Sequence, residues 1–373
     1  MRARSTAVAV TSMAAVLVLS ACGGGSTSGS GSGSGGGDAT AGSGSGGGGS
    51  DSPQVGVILP DTESSARWES FDAPLLQQAF DDAGISATIQ NAQGDASTMQ
   101  TMADQMITQG VAVLAIVNLD SDSGAAIEAK AKQAGVQTID YDRLTLGGSS
   151  DYYVSFDNTR VGELQGEGLA TCLGDTPADI VYLDGSPTDN NATLFADGAH
   201  SVLDPMTQYT VVGEQAVPDW DNQQAATIFE QMLTQAGTIN GVLAANDGLG
   251  NAAISILAKN GLNGQVPVTG QDATVQGLQN ILAGDQCMTV YKAVTKEAQA
   301  LAETAISLIN GEEPETTGTV TDDTGGRDVA STLLEPQAIF RDNVKDVVDD
   351  GAVTAEELCT EKFADACTEL GIS

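Results

Sequence analysis

Basic residues are scarce in this chain: 14 Lys and Arg stand against 50 Asp and Glu in 373 residues, a net charge of −36. Such a surface repels nucleic acid and anionic lipid headgroups, and excludes both as partners held by charge. Histidine is almost absent. The one present, His200, stands in a polar stretch after Phe195. It can build neither a histidine-rich metal site nor, without a nearby nucleophile, a catalytic triad, and it reads as a solvated helix residue. The many carboxylates form no D-x-D-x-D-G loop, so calcium lacks its oxygen cage, and no glycine-rich P-loop offers a cradle for phosphate. Long apolar runs are missing too, since the stretch 7–19 near the N-terminus is too short to span a bilayer. Aromatics make up only 4% of the chain, with two tryptophans, Trp68 and Trp220.

Arg2 and Arg4 precede that short apolar core and Leu19-Ser20-Ala21-Cys22 closes it, the layout of a secretory signal over 1–21. A small residue before a cysteine at such a cleavage site resembles the lipobox of bacterial lipoproteins. The resemblance implies that Cys22 becomes the lipidated first residue of a cell-surface protein, touching the membrane through its lipid alone. Residues 22–52 are nearly all Gly and Ser, cannot bury apolar surface, and read as a tether. The globular part then begins near Pro53. Besides Cys22 there are Cys172, Cys287, Cys359 and Cys367, and in an oxidising compartment an even number favours disulfides over catalytic thiols. Cys359 and Cys367 share one short C-terminal segment, which favours a local bridge and leaves Cys172 to Cys287.

About 320 residues follow the tether, too many for one modest core and comfortable for two domains. From Gln54 onward short apolar runs alternate with amphipathic stretches. Strands are expected at 55–59, 87–90, 111–117 and 137–141, with helices at 68–83, 97–109 and 125–134 between them. Continuous apolar runs such as 111–117 suit strands buried on both faces, and alternation with helices implies a parallel sheet. After 153–156 the rhythm restarts, with strands at 179–183, 210–213, 241–245 and 266–269 and helices at 159–173, 192–203, 222–236, 248–259 and 274–283. The expected fold class is therefore α/β with two doubly wound domains. A further strand at 288–291 and helix at 296–308 precede a polar, Thr-rich stretch and an acidic end.

In open α/β sheets ligands bind outside the carboxyl ends of the strands. Those positions hold Asp61, Asn118, Asp142-Arg143, Asp157-Asn158, Asp189-Asn190-Asn191, Asn246-Asp247, Gln271-Asp272 and Lys292. Any one of them suits a helix N-cap. Their recurrence at nearly every strand end, with Arg143 and Lys292 drawn from so few basic residues, points to one polar ligand site. Carboxylate, amide and guanidinium groups answer adjacent sugar hydroxyls with paired hydrogen bonds, and an aromatic wall suits the apolar C–H faces. Trp68 and Trp220 both fall in loop-to-helix positions after strands.

Arg67-Trp68, Tyr141-Asp142-Arg143-Leu144, Ser155-Phe156-Asp157-Asn158, Val161-Gly162-Glu163-Leu164-Gln165, Gly185-Ser186-Pro187-Thr188-Asp189-Asn190-Asn191-Ala192, Asn246-Asp247, Gly270-Gln271-Asp272-Ala273 and Met288-Thr289-Val290-Tyr291-Lys292 resemble the motifs of the xylose-binding proteins of ABC transporters. The likeness runs in order from about Val55 to Asp350. It implies a type I periplasmic-binding-protein fold, two doubly wound parallel-sheet lobes joined by a three-strand hinge and closing on a monosaccharide. The lobes would comprise 53–155 plus 293–328 and 156–292 plus 329–373. By position, the resemblance carries sugar hydrogen bonding to Arg67, Asp142, Arg143, Asn191, Asn246, Asp272 and Lys292, with Asp189 a further member, and stacking to Trp68 and Trp220. The loop from Pro60 to Ala66 departs from it in lacking charged residues expected there, and the segment holding Cys359 and Cys367 extends beyond it. In such a fold the helix 159–173 ends at the far pole of the second lobe, where the strand 288–291 begins, which brings Cys172 to Cys287.

The expected function is that of a secreted, lipid-anchored, monomeric receptor that captures a pentose or related aldose, D-xylose foremost, and delivers it to an ABC transporter permease. No cofactor, metal or covalent step is called for. A glycosidase would use two cleft carboxylates as acid and base, but here each has amide or arginine neighbours that favour its charged form. A repressor core of the same fold would need a helix-turn-helix where this chain has its signal and tether. A receptor reporting sugar to a sensor kinase or chemoreceptor fits the same residues.

Overall fold

The computed structural model describes Gln54 to Ile372; the leader, Cys22 and the whole Gly/Ser tether lie outside the described residues. Strand β1 (Val55–Leu59) shows how the first sheet is dictated by sequence. Its odd positions, Val55, Val57 and Leu59, join one buried cluster with Val113 and Ala115, while Ile58 joins another with Leu114 and Ile116 on the opposite face. Side chains that alternate across a strand and are apolar on both sides need a helical layer on each. β2 (Ala87–Asn91), β3 (Val113–Ile116), β4 (Gln137–Tyr141) and β5 (Tyr152–Phe156) complete a parallel array, in spatial order β5-β4-β3-β1-β2.

The second sheet uses β6 (Ala178–Asp184), β7 (Tyr209–Ala216) and β8 (Gly241–Ala244), in order β7-β6-β8 and all parallel. The expected strand at 266–269 is reduced to a single bridge, Val242 to Val268. Pro267 lies inside that run and has no N–H to give a ladder, although its carbonyl accepts from Val242 at 2.9 Å. A bridge from Gln271 to Val290 continues the layer to β9 (Thr289–Tyr291).

Two polar segments that gave no strand signal are strands. β10 (Gly318–Asp322) and β11 (Arg327–Leu334) form an antiparallel pair, and β11 runs parallel to β5 at the edge of the first sheet. β12 (Gln337–Ile339) pairs antiparallel with β9. The chain thus passes between the lobes after Phe156, after Lys292 and after Leu334. The last passage is a correction to the expected division at 328/329. β11 stays in the first sheet to its end because Leu334 pairs with Phe156, and Glu335-Pro336 makes the turn.

Close helix packing sets the second half of the molecule. Helices Asn158–Leu173 and Asn190–Leu203 touch backbone to backbone: a Cβ on Gly162 would lie 2.0 Å from the Phe195 carbonyl oxygen, and one on Gly198 would lie 2.2 Å from that of Thr159. Only glycine permits that approach. Cys172 bridges Cys287 and Cys359 bridges Cys367, with Cα separations of 6.5 and 5.9 Å. The C-terminal segment packs Val344, Val347, Leu358 and Phe363 onto Leu278 and Ile281 of helix Val275–Ala283. No helix of the described residues is long and apolar enough to cross a membrane.

Candidate functional site

At the carboxyl edge of each sheet the chain makes the same move. Asp142 follows β4 with φ of 61° and donates its N–H to the Val154 carbonyl at 2.8 Å. Asp272 follows the Gln271 bridge with φ of 93° and donates to the Val290 carbonyl at 2.8 Å. Left-handed backbone at a residue other than glycine is strained, and the neighbouring strand holds it in place. Both carboxylates are thereby turned into the gap between the lobes.

Around Asp142 lies a buried ionic web. Arg67 grips Asp72 through Nε and Nη2 at 2.9 and 2.7 Å, reaches Glu297 at 2.5 Å, and gives Nη1 to Asp142 at 3.0 Å. Four of its five N–H groups are then committed. Tyr141 donates to Asp72 at 2.5 Å. Burial opposes the charge of Arg67, but Asp72, Glu297 and Asp142 outweigh it and hold the guanidinium well above its ordinary pKa. Burial pushes Asp142 up, yet Lys292, Arg67 and Arg143 prevail, and its carboxyl titrates below its usual range. Glu297 has the opposite fate: desolvation, aided by Asp142 and Asp72 and opposed by Arg67, drives it up to about 8.

Arg143 lies across the gap from Asp189. Its Nη1 and Nη2 donate to the Asn118 carbonyl at 3.2 Å and to Ser64 Oγ at 3.3 Å. Its Nε is 3.0 Å from Asp189 but poorly directed, so this contact is an ion pair without a hydrogen bond. Asp189 caps helix Asn190–Leu203 by accepting from the Asn191 N–H at 2.9 Å, and its other oxygen accepts from Trp220 Nε1 at 3.2 Å. Burial raises the Asp189 carboxyl against the pull of Arg143. Asn191 donates to the Asp142 backbone and carboxylate at 2.9 and 3.1 Å, tying the lobes together. Asn246 caps helix Asp247–Lys259 through Leu249 N–H at 2.9 Å. Lys292 stands 3.5 Å from Asp272 and 4.0 Å from Asp142, with its ammonium 5.8 Å from the Phe195 ring.

Trp68 is anchored by Nε1 to Ser64 at 3.1 Å and lies under the Arg67 guanidinium at 4.4 Å. Trp220 packs edge-on to Phe195, with centroids 6.5 Å apart. Gly185 makes room for it: a Cβ there would fall 2.1 Å from the indole.

The structure brings Arg67, Trp68, Asp142, Arg143, Asp189, Asn191, Trp220, Asn246, Asp272 and Lys292 onto one space of about 340 Å³, counting its mouth. It adds Ser64, Ser65, Phe195 and Gln271 to the lining. Of these only Gln271 had stood in the strand-end set. Asn118 and Asp157 support instead of lining: Asn118 donates to Thr145 at 2.9 Å and to the Arg143 carbonyl at 3.1 Å, and Asp157 caps helix Asn158–Leu173. Asp247 is also a support. It accepts from Thr274, Gln286 and Thr289 beneath the Asp272 loop, and burial raises its carboxyl to about 6. Asp72 and Glu297, which orient Arg67, gave no signal in the sequence. His200 stacks on Tyr182 at 4.4 Å and takes no part in this lining.

Residues 55–313 match the periplasmic binding protein domain. The D-xylose-binding periplasmic protein of Escherichia coli strain K12 is 36% identical over 310 residues, covering 82% of this chain and 92% of that protein. The multiple sugar-binding periplasmic receptor ChvE of Rhizobium radiobacter is 34% identical over 330 residues, covering 83% and 93%. Among solved structures, a carbohydrate transporter solute-binding protein from Chloroflexus aurantiacus in complex with D-glucose superposes with a TM-score of 0.74 at 29% identity, covering 82% of this chain and 98% of that one.

Proposed function

This chain belongs to the periplasmic binding protein family, alongside its D-xylose-binding members, and from that premise we propose that it captures a neutral aldose, D-xylose foremost, between its lobes and hands the closed complex to an ABC transporter permease. The observation that carries the reading is the convergence of carboxylates, amides, cations and both tryptophans from the two lobes on one space. Cations and carboxylates there are matched pair by pair, so a neutral polyhydroxyl ligand suits the site and a charged one does not. Because the ligand touches both lobes, it stabilises the closed arrangement over any open one. Chemistry on the sugar is not required. Asp142, held in its ionised form by Lys292, Arg67 and Arg143, is no proton donor.

The protein acts as a secreted monomer tied to the cell surface by a lipid on Cys22. Cys22→Ser then releases it from membranes with sugar binding intact, and retention of that variant in the membrane fraction would refute the anchor. A thermal-shift panel of xylose, glucose, galactose, arabinose and ribose tests the ligand, since a ligand specific for the folded state raises its apparent stability. Xylose gives the largest shift if the reading is right, and a flat response across the panel overturns it.

A further inference from the structure

Across a shared wall of Ser64, Arg143, Asp189 and Trp220 from the space between Asp142 and Asp272 lies a second slot of about 760 Å³, again counting the mouth. The first lobe gives this slot Asp61, Thr62 and Glu63, and the second gives Ser186, Thr188 and Asp219. Its width follows from the loop after β1. Asp61 accepts from Glu63 N–H at 2.8 Å and from Ser64 N–H and Oγ at 2.6 and 2.9 Å, which folds the loop back on itself. The edges of the slot are strained: Asp219 and Trp220 on one lobe have φ of 55° and 56°, and Gln93 on the opposite lobe has 53°. Non-glycine residues in such backbone mark places where the surroundings fix a geometry.

The chemistry of the slot selects among ligands. Hydroxyls and carboxylates dominate it, and its one cation, Arg143, already faces Asp189. An anionic group would meet carboxylates with no free cation to answer it. Sugar hydroxyls, which donate and accept, find partners throughout. At the junction of the two spaces the buried Nε–H of Arg143 still lacks a well-directed acceptor.

We infer that the cleft accepts a neutral disaccharide, with one ring between Asp142 and Asp272 and the second in the slot beside Trp220. This rests on the sugar-binding reading and extends its ligand class. Calorimetric titration of the detergent-solubilised full chain with matched pairs, xylose with xylobiose and glucose with cellobiose, tests it. The expected result is a disaccharide affinity within about tenfold of the matching monosaccharide. Thr188→Trp, which fills the slot from its exposed rim, weakens the disaccharide at least ~10-fold and leaves the monosaccharide within about twofold. Monosaccharide binding with no binding of either disaccharide overturns this inference and leaves the sugar-binding reading standing. Silence toward all the sugars overturns both. Disaccharide affinity that survives both Thr188→Trp and Thr62→Trp overturns the placement of the second ring.

Discussion

In the first lobe the strand-end carboxylate, Asp142, takes hydrogen bonds from Arg67 at 3.0 Å and Asn191 at 3.1 Å, and its backbone carbonyl accepts from Ser155 and Tyr153 at 2.7 and 3.1 Å. In the second lobe Asp272, on equivalent strained backbone, has among the described residues only Lys292 at 3.5 Å for a cation and keeps a more exposed side chain, 15% against 6%. The second lobe is instead the one fastened covalently, since both disulfides join residues on its side of the passages. A carboxylate held on both oxygens by its own protein supplies mainly geometry, because part of its accepting capacity is used before any ligand arrives. One left half-satisfied supplies affinity, because a ligand hydroxyl completes what the fold left open. One lobe is thus a prearranged socket and the other carries the reserved acceptor.

Four perturbations test that contrast. Loss of the Cys172–Cys287 bridge, which closes 115 residues, lowers stability by up to about 4–5 kcal/mol with little change in affinity, read by denaturant unfolding and titration of the Cys172→Ser, Cys287→Ser double variant. A matching loss of affinity would show that the far pole of the second lobe governs the site after all. Asp142→Ala removes one of the three carboxylates on Arg67 and the farther carboxylate partner of Lys292, and should cost about 1–3 kcal/mol of folding stability together with measurable binding. If its unfolding midpoint stays at the wild-type value, the socket is not prearranged by this residue.

Asp272→Ala should separate the two quantities. Its unfolding curve stays close to wild type, while the sugar affinity drops at least ~10-fold, as expected when one partner of a desolvated charged contact is removed. Equal losses of stability in Asp142→Ala and Asp272→Ala would erase the distinction drawn between the lobes. The smallest effect concerns Glu297. Its folded pKa of about 8 lies above the ordinary 4.5, so the folded state holds its proton more tightly than the unfolded chain. The stability this contributes is fully present below about 4.5 and is lost as pH rises through about 8. Melting temperatures at pH 5 and pH 8 should therefore fall more for the wild type than for Glu297→Gln. The opposite sign would mean that Arg67 keeps Glu297 ionised.

Strand-end reading finds residues that follow an apolar run, and this is how Asp142, Arg143, Asn246, Asp272 and Lys292 could be named from sequence. Glu297 has no such address. It sits on helix Val294–Asn310 and meets Arg67 across 230 residues of chain, a contact only the third dimension creates. Asp72 belongs to a π-helical turn, Trp68–Asp72, which opens what reads as one continuous helix over 68–83. β10 and β11 were hidden for another reason. They lie at one side of the sheet, β10 outermost, and are rich in threonine and charged residues, so they lack the apolar run that betrays a central strand.

The two tryptophans have a spectroscopic consequence. Trp68 belongs to the first lobe and Trp220 to the second, both border the same space, and the chain holds no other indole. Tryptophan emission from this protein is therefore free of background from distant reporters. Each lobe carries its own lamp, quenched or brightened by what occupies the gap. With Trp68→Phe and Trp220→Phe the lamps can be lit one at a time, and a ligand that engages a single lobe can be told by colour and intensity from one that draws both together.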